Sequence, residues 1–307
     1  MKLVSVNNIT KSYKGVQALK GISFEVGKGE IFGIIGPDGA GKTSLFRILT
    51  TLLLADSGTA VVDGNDVVTE YKKIRRKVGY MPGRFSLYQD LTVEENLHIF
   101  ATLFGTTIKE NYHLVEAIYS QIEPFKDRKA GALSGGMKQK LALSCALIHE
   151  PVVLFLDEPT TGVDPVSRKE LWDVLKELKH KGVTILVSTP YMDEANMCDR
   201  IALIQDGSFL KIDTPDQIKA SYDQILWAVR GKDMFRLLKD LRSNEHVLAS
   251  HAFGDSHHVT IRKDLQRDGT SFRQEDLKSY LEEKHHTAIE IAPIEASIED
   301  CFMELIH

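Results

Sequence analysis

A glycine-rich stretch that ends in lysine and threonine carries the clearest chemistry of the sequence. Residues 36–43, GPDGAGKT, match the pattern GxxxxGK[ST] and lie between an apolar run at 31–36 and a helical pattern at 44–54. Glycines let backbone N–H groups approach phosphate oxygens, and the start of a helix adds positive potential. A strand before the motif and a helix after it are the context that the motif requires. The stretch therefore predicts a phosphate-binding loop.

The residue types of this loop indicate a nucleoside triphosphate with Mg²⁺. Lys42 is expected on the β and γ phosphates, and the Thr43 hydroxyl is expected to ligate Mg²⁺. A nucleoside triphosphate and Mg²⁺ are therefore the predicted cofactors. The predicted nucleotide-binding residues of this segment are Gly36, Asp38, Gly39, Ala40, Gly41, Lys42, Thr43 and Ser44.

An acidic pair follows a second apolar run, VVLFLD at 152–157. Asp157, at the end of the predicted strand, is placed to reach the Mg²⁺ shell as a second metal ligand, and Glu158 is placed to polarise an attacking water. By itself such a pair often marks only the start of a loop. Downstream of a phosphate loop it predicts Glu158 as the catalytic residue.

The segment LSGG at 133–136 lies just ahead of that strand, at a predicted helix start. Ser134 and the N–H groups of Gly135 and Gly136 can form an anion site there. In this position LSGG resembles the signature motif of ATP-binding cassette (ABC) ATPases. The resemblance covers about residues 1–215, and it implies that the nucleotide is ATP.

This resemblance implies partners. In the family, Tyr13 would stack on adenine, 162–165 (GVDP) would be the D-loop, and Ser134, Gly135 and Gly136 would face ATP held by a second cassette. The sequence at 134–151 and at 159–165 is similar to that of nucleotide-binding subunits of bacterial exporters. It implies a homodimer or heterodimer that drives separate membrane-spanning subunits, peripheral on the cytoplasmic face of the membrane. The alternative is a non-transport or regulatory ABC module with little hydrolysis.

Two positions depart from the family pattern. Gly83 stands where most members carry a glutamine that contacts Mg²⁺ and water, and Pro190 stands where they carry a histidine that reaches the γ phosphate. Neither residue offers a side-chain donor. The departures predict either a weakened hydrolytic site beside a sound LSGG face, or neutral changes in a subfamily that relies on Glu158. Gln89 offers an alternative donor only if the loop folds back.

The pattern of apolar runs indicates an α/β P-loop domain at 1–220, with a helical subdomain inserted at about 84–150. From 221 to 307 the predicted order β-α-β-β-α-β is typical of a small ferredoxin-like α+β domain. Helices are predicted at 134–150 and 165–181, and strands at 31–36, 152–157 and 183–188. Thr92 and Glu95 predict a capping box at the start of another helix, which runs through Phe104.

Composition narrows the function classes. The net charge is -5, and the basic and acidic residues are spread along the chain without a basic stripe. Nucleic acid is therefore not an expected partner. Three separated cysteines predict neither disulfides nor a zinc site, and no apolar run is long enough to span a membrane. The C-terminal histidines, including the adjacent His257 and His258, are interpreted as surface polarity rather than a metal site. The apolar residues of 85–91 fit either a subdomain core or a groove for a membrane subunit.

Overall fold

The computed structural model describes residues 1–262 and 272–306. The chain forms two compact units, Met1–Pro215 and Asp216–His307, so the division falls a little before the boundary predicted after residue 220. The strands of the first unit are β1 (Lys2–Tyr13), β2 (Val16–Gly27), β3 (Ile31–Ile35), β4 (Ser57–Val62), β5 (Asn65–Asp66), β6 (Val78–Met81), β7 (Val153–Asp157), β8 (Thr184–Thr189), β9 (Arg200–Gln205) and β10 (Ser208–Asp213). Its helices are α1 (Lys42–Leu49), α2 (Tyr71–Lys77), α3 (Val93–Leu103), α4 (Ile108–Tyr119), α5 (Gly135–Leu147) and α6 (Pro165–His180), and α7 (Pro215–Ala220) spans the division.

A six-stranded sheet in the order β10-β9-β3-β8-β7-β6 is the centre of the first unit. Its inner strands pair in parallel, and β10 pairs antiparallel with β9. Every residue of β3, β7 and β8 is buried. Strands covered on both faces carry mostly apolar side chains, which explains the nearly all-apolar runs of the sequence. The three predicted strands match within one residue at each end.

A second, antiparallel sheet in the order β2-β1-β4-β5 shares its core with the first sheet. Buried residues of both sheets and of α1 form one hydrophobic cluster, in which the Phe46 and Phe155 rings meet edge to face at 5.8 Å. Helix α1 is therefore fixed against β7, the strand that ends in the acidic pair.

Helices α3, α4 and α5 pack together as the inserted helical part of the first unit. Thr92 and Glu95 form the capping box that the sequence predicts for α3, and Thr107 with Glu110 forms another at α4. Each box satisfies two backbone N–H groups that the helix leaves unpaired. The start of both helices is thus encoded locally.

Two predicted helices are shorter than the sequence suggested. Helix α1 ends at Leu49 rather than near residue 54, because the Thr50 hydroxyl donates to the Phe46 carbonyl and Thr51 adopts a left-handed φ of 63°. Helix α5 ends at Leu147, and Glu150, which the prediction included, has φ 56° before Pro151. A left-handed residue stops a helix even where apolar side chains continue the pattern.

The second unit has a four-stranded antiparallel sheet in the order β12-β13-β11-β14. Helices α8 and α9 lie between strands in the order β-α-β-β-α-β, and their side chains join one face of the sheet in a separate hydrophobic cluster. The elements are β11 (Ile225–Arg230), α8 (Met234–Arg242), β12 (Val247–Phe253), β13 (Ser256–Ile261), α9 (Gln274–Glu283), β14 (Glu290–Pro293) and α10 (Ile298–Leu305).

The three cysteines are free and buried. Burial raises the pKa of the Cys145 thiol and of the Cys198 thiol, which keeps both in the unreactive protonated form. None of the helices in the described part of the chain is both long and apolar enough to cross a membrane.

Leu237→Ala is expected to lower the free energy of unfolding of the second unit by about 2–5 kcal/mol, because a fully buried leucine on α8 leaves a cavity. The variants would be made in a Trp172→Phe background, so that Trp227 in β11 is the remaining tryptophan of the two in the chain. Its fluorescence then follows urea unfolding of the second unit.

Phe235→Ala on the same helix is the matched control, since Phe235 is 87% exposed. Its effect should stay within about 0.5 kcal/mol. Equal losses for the two variants would contradict the assignment of the α8 core face.

Candidate nucleotide-binding site

The phosphate loop connects β3 to α1, and close packing explains two of its glycines. A Cβ atom at Gly36 would lie 2.1 Å from the Ile204 carbonyl oxygen. At Gly41 it would lie 2.4 Å from the Ala18 carbonyl oxygen, and φ there is +106°. Both positions exclude any side chain, so the loop can follow its tight path only with glycine.

The ammonium group of Lys42 lies inside this loop. The side chain is 3% exposed, and Nζ donates to the carbonyl oxygens of Gly36 at 2.8 Å and Pro37 at 2.9 Å. Nζ also lies 3.2 Å from Glu158 Oε1, whereas Asp38 is more distant at 4.0 Å. The structure therefore brings together two predicted site residues, Lys42 of the phosphate loop and Glu158 of the acidic pair.

The acidic pair is held by β8. Asp157 is 2% exposed and accepts a hydrogen bond from Ser188 Oγ at 2.6 Å. The Glu158 N–H donates to both oxygens of Ser188, at 3.0 and 3.1 Å, and Glu158 adopts a left-handed φ of 52°. Ser188 thus holds the Asp157 carboxylate and the Glu158 backbone at the end of β7.

Tyr13, Thr43 and Ser44 occupy the outer side of the loop. The Tyr13 hydroxyl lies 3.2 Å from Ser44 Oγ, and Tyr13 is 42% exposed. Thr43 is the second residue of α1 and half-buried. An exposed ring beside the phosphate loop is available to stack on a base.

The oxygen donors at the site fit Mg²⁺ rather than a metal held wholly by protein. Thr43 supplies a hydroxyl and Asp157 a carboxylate, and the described residues contain no group of three His, Cys, Asp or Glu that could hold a metal. Mg²⁺ commonly takes one or two protein oxygens and completes its shell with phosphate and water. The predicted pair of ligands therefore suits this ion.

The LSGG residues lie against the turn that precedes α6. Ser134 caps α5 by accepting from the Met137 N–H at 3.3 Å, and a Cβ at Gly135 would lie 3.2 Å from the Gly162 carbonyl. A Cβ at Gly136 would lie 2.7 Å from Ser167 Oγ. Within the residues that the structure describes, no hydrogen bond joins Ser134 to the phosphate loop. The LSGG anion site and the phosphate loop are thus separate features of one chain.

Asp164 gives the turn its shape. Its carboxylate caps α6 by accepting from the N–H groups of Val166 and Ser167, at 3.1 and 3.0 Å. Hydrogen bonds from Ser167 are the largest cause that lowers the pKa of Asp164. A charged cap at a helix start is favourable with the helix dipole.

Both departures from the family pattern adjoin the acidic pair or the loop. A Cβ at Gly83 would lie 3.1 Å from the Asp157 carbonyl oxygen and 3.8 Å from Glu158 Cβ. Pro190 directly follows Thr189, whose carbonyl accepts from the Gly36 N–H at 3.2 Å. The Gln89 carbonyl accepts from the Gly131 N–H at 2.9 Å, so the Gln89 backbone is held beside Gly131. Gly83 and Pro190 themselves offer no side-chain donor at their positions.

Arg168 packs against the segment that follows Pro190, a contact that the sequence did not predict. The Arg168 guanidinium lies 4.0 Å above the Tyr191 ring, and its Nε is 3.6 Å from Glu194 Oε1. Glu194 is 2% exposed. The sequence could have identified Ser188, since it is a polar residue in a strand predicted to be buried. It could not have identified Arg168 and Glu194, because their pairing depends on how α6 packs.

Three of the C-terminal histidines have partners on two helices. His257 Nε2 lies 2.7 Å from the Met234 carbonyl and His286 contacts Asp240, both on α8, whereas His258 contacts Asp300 on α10. The adjacent His257 and His258 therefore face opposite sides of their strand, as expected. The interpretation as surface polarity is wrong for His257 and His286, which are 4% and 6% exposed.

Near residues 85–91 the structure divides the apolar side chains. Leu87 is buried and Tyr88 is 56% exposed, so the segment contributes both to the core and to the surface. The side chain of Asn96 bonds both backbone groups of Tyr88, at 2.9 Å each. A groove of about 440 Å³ lies nearby on α3 and is lined by Leu91, Glu94, Glu95, His98, Ile99 and Ile108.

Residues 19–161 match the family described as ABC transporter. A Nod factor export ATP-binding protein I of Burkholderia lata is 40% identical over 207 residues, 66% of this chain and 68% of that protein. The chain belongs to the ABC transporter family. Doxorubicin resistance ATP-binding protein DrrA of Mycobacterium tuberculosis is 36% identical over 271 residues, 86% of this chain and 80% of its own, so that match extends into the second unit.

Another relative is longer than this ABC protein. The probable multidrug ABC transporter ATP-binding protein YbhF of Escherichia coli is 40% identical over 220 residues, which is 71% of this chain and 38% of YbhF. The match therefore spans well under half of the length of that relative.

Solved structures of similar fold are ABC cassettes, which confirms the predicted P-loop fold. An ATP-binding subunit of an ABC transporter has a TM-score of 0.66 at 28% identity, and covers 72% of this chain and 93% of its own. The dimeric post-hydrolysis state of the cassette MJ0796 with ADP and Pi has a TM-score of 0.63 at 28% identity, and covers 69% and 98%.

Gly41→Ala is expected to weaken ATP binding more than tenfold, because the new Cβ would clash with the Ala18 carbonyl and move the loop. Gly39→Ala is the matched control, since Gly39 also has a positive φ, +81°, but no heavy atom within 4 Å of the new Cβ. Its backbone strain of about 1–2 kcal/mol should leave a smaller loss. Titration with a fluorescent ATP analogue measures both, and a larger loss for Gly39→Ala would contradict the role of close packing.

Proposed function

We propose that this chain is the ATP-binding and ATP-hydrolysing subunit of an exporter, peripheral on the cytoplasmic face of the membrane. The observation that carries the proposal is the Lys42 ammonium, held by two loop carbonyls with Glu158 3.2 Å away. The names of relatives, which include multidrug and Nod factor export proteins, support export as the process.

In this proposal the phosphate loop binds ATP. Backbone N–H groups at the start of α1 would meet phosphate oxygens, and Lys42 would turn to the β and γ phosphates. Tyr13, exposed beside Ser44, would stack on adenine. The remaining loop residues Asp38, Gly39 and Ala40 would shape the cradle.

Thr43 and Asp157 would hold Mg²⁺. When bound, this ion neutralises charge on the phosphate oxygens. The Ser188 hydrogen bond keeps the Asp157 carboxylate directed along the end of β7. Ser188 is therefore a positioning residue for the predicted metal ligand.

Glu158 would accept the proton of the attacking water. The Glu158 carboxylate lies 3.2 Å from the Lys42 ammonium, so phosphate oxygens would have to compete with Glu158 for Lys42. Binding of ATP would thereby release Glu158 toward water. Binding and activation of the catalytic residue are linked through one lysine.

Hydrolysis on this chain's own phosphate loop would be weak. Gly83 and Pro190 leave two positions beside Asp157 and the loop without a side-chain donor. Loss of one donor to developing charge typically lowers the rate by about 10²–10³. A regulatory ABC module with little hydrolysis is the second candidate, and the same two residues favour it.

The separation of the LSGG residues from the phosphate loop favours a dimer. Ser134, Gly135 and Gly136 lie at the start of α5 against the Gly162–Asp164 turn, where they would meet ATP on a second cassette. A related cassette, MJ0796, is described as dimeric. We favour a heterodimer, in which the partner's ATP is the one turned over. The α3 groove with the exposed Tyr88 would receive a membrane-spanning subunit.

Gly83→Gln combined with Pro190→His is expected to raise the ATPase rate of the purified chain at least tenfold, because it supplies two donors near the γ phosphate. The glutamine Cβ would need a shift of a few tenths of an ångström, since it would lie 3.1 Å from the Asp157 carbonyl. Release of phosphate is the measurement.

Gly83→Ala combined with Pro190→Ala is the control, because it changes the backbone without adding donors. An ATPase rate of the unchanged chain that is typical of the family would contradict the weak-site hypothesis. So would the absence of an increase in the variant that combines Gly83→Gln with Pro190→His.

Affinity-tagged chain from solubilised membranes of its source cells is expected to bring down a multi-span protein and a second cassette. In that complex, Ser134→Ala should reduce ATP turnover several-fold more than Glu158→Gln, because the partner's ATP would lie on this chain's LSGG residues. Recovery only from the soluble fraction would contradict the exporter assignment. A larger loss from Glu158→Gln would leave the exporter intact but exclude the heterodimer as described.

A further inference from the structure

A cavity of about 480 Å³ is formed wholly by residues of the second unit. Helices α8 and α9 join one face of the sheet through Val229, Val259 and Ile261. His258 and Thr260, which alternate with these residues on β13, line the cavity together with Asp300 of α10. The cavity therefore lies on the other face of the sheet, beside α10. Its volume is within the range of about 300–1,000 Å³ that small-molecule sites occupy.

The polar wall of the cavity is fixed before any ligand enters. Asp300 is 6% exposed, with Oδ1 at 2.8 Å from His258 Nδ1 and Oδ2 accepting from the N–H and hydroxyl of Ser297 at 2.8 and 2.6 Å. The Tyr222 hydroxyl lies 3.0 Å from Thr260 Oγ1. The His258 ring stacks on Phe253 with centroids 3.9 Å apart. Groups held in this way lose little freedom on binding.

The floor of the cavity consists of two cross-strand pairs. His251 faces His258, and Ala249 faces Thr260, in the register of β12 and β13. Leu248 and Met303 add apolar surface. Two neighbouring imidazoles next to apolar side chains suit a flat body better than a branched one.

The charges of the lining favour a cation. The lining contains the carboxylates of Asp300 and Glu304 and neither Lys nor Arg. Asp300 already receives its hydrogen bonds from His258 and Ser297, so Glu304, which is exposed at the rim, is the carboxylate left to meet a ligand. A metal ion is a poor occupant, because the described residues contain no three His, Cys, Asp or Glu that could hold one.

From these observations we propose that the cavity of the second unit binds a small organic cation with a flat apolar body. Glu304 pairs with the positive charge, the Tyr222 ring and the imidazoles contact the flat body, and Leu248 and Met303 cover its apolar edge. The site goes beyond ATP binding, and its occupancy does not depend on Gly83 or Pro190.

Titration of the full chain with three flat cations tests the proposal: thioflavin T, ethidium and berberine. ADP is kept at saturation throughout, so that the phosphate-loop site is blocked. At least one probe is expected to bind saturably with one site per chain. The neutral analogue of thioflavin T, which lacks the N-methyl group, should bind more weakly. Absence of binding by all three cations, or tighter binding of the neutral analogue, would overturn the proposal.

Glu304→Gln is expected to weaken binding of the cation about three- to fivefold, the effect of one exposed charge pair. Glu283→Gln on α9, outside the lining, is the matched control and should leave binding unchanged. Ala249→Phe should remove binding by filling the floor of the cavity. If that variant does not fold, Met303→Trp should remove binding by filling the cavity from α10. Binding that survives both filled variants, with melting temperatures unchanged, would place the probe elsewhere and overturn the proposal.

Discussion

The buried charge of Lys42 is the constraint on which the nucleotide site depends. An ammonium group that is 3% exposed must be surrounded by acceptors, because an unpaired charge in a protein interior is destabilising by several kcal/mol. The carbonyls of Gly36 and Pro37 and the Glu158 carboxylate supply those acceptors. The loop therefore has to wrap around the lysine, and only glycine at 36 and 41 allows that path between Ile204 and Ala18.

The path of the loop in turn depends on the order of the parallel strands. β8 lies between β3 and β7, so its last residues touch both the loop and the acidic pair. Thr189 accepts from the Gly36 N–H, and Ser188 bonds both Asp157 and Glu158. The carboxyl ends of adjacent parallel strands meet at one edge, which is where α/β proteins place their ligands. Strand β8 thus aligns the phosphate loop with Asp157 and Glu158. Pro190 is the residue that directly follows this strand.

Local patterns predicted most of this arrangement, because they record local physics. Nearly all-apolar runs identified β3, β7 and β8, since a strand buried on both faces carries few polar side chains. The Thr92–Glu95 capping box identified the start of α3. The left-handed residues Thr51 and Glu150, which end two helices early, could not be predicted, because neither is glycine or asparagine. Contacts set by packing, such as Arg168 with Tyr191 and Glu194, also lay outside the reach of sequence patterns.

The positions of Gly83 and Pro190 are consistent with a site in which binding and hydrolysis are separable, as the proposed function requires. The groups that would hold phosphate are the loop backbone and Lys42, and both are fixed by contacts to β8, Ile204 and Ala18 that neither departure disturbs. A Cβ at Gly83 would lie nearest to the Asp157 carbonyl and Glu158 Cβ, and Pro190 follows a strand that is bonded to the loop through Thr189. Because catalysis needs donors where charge develops while binding needs them in the ground state, the two departures would remove the former and spare the latter. Under the proposed function, such a site would hold ATP within a dimer, and the LSGG residues against the turn before α6 would be the face through which this chain contributes to turnover.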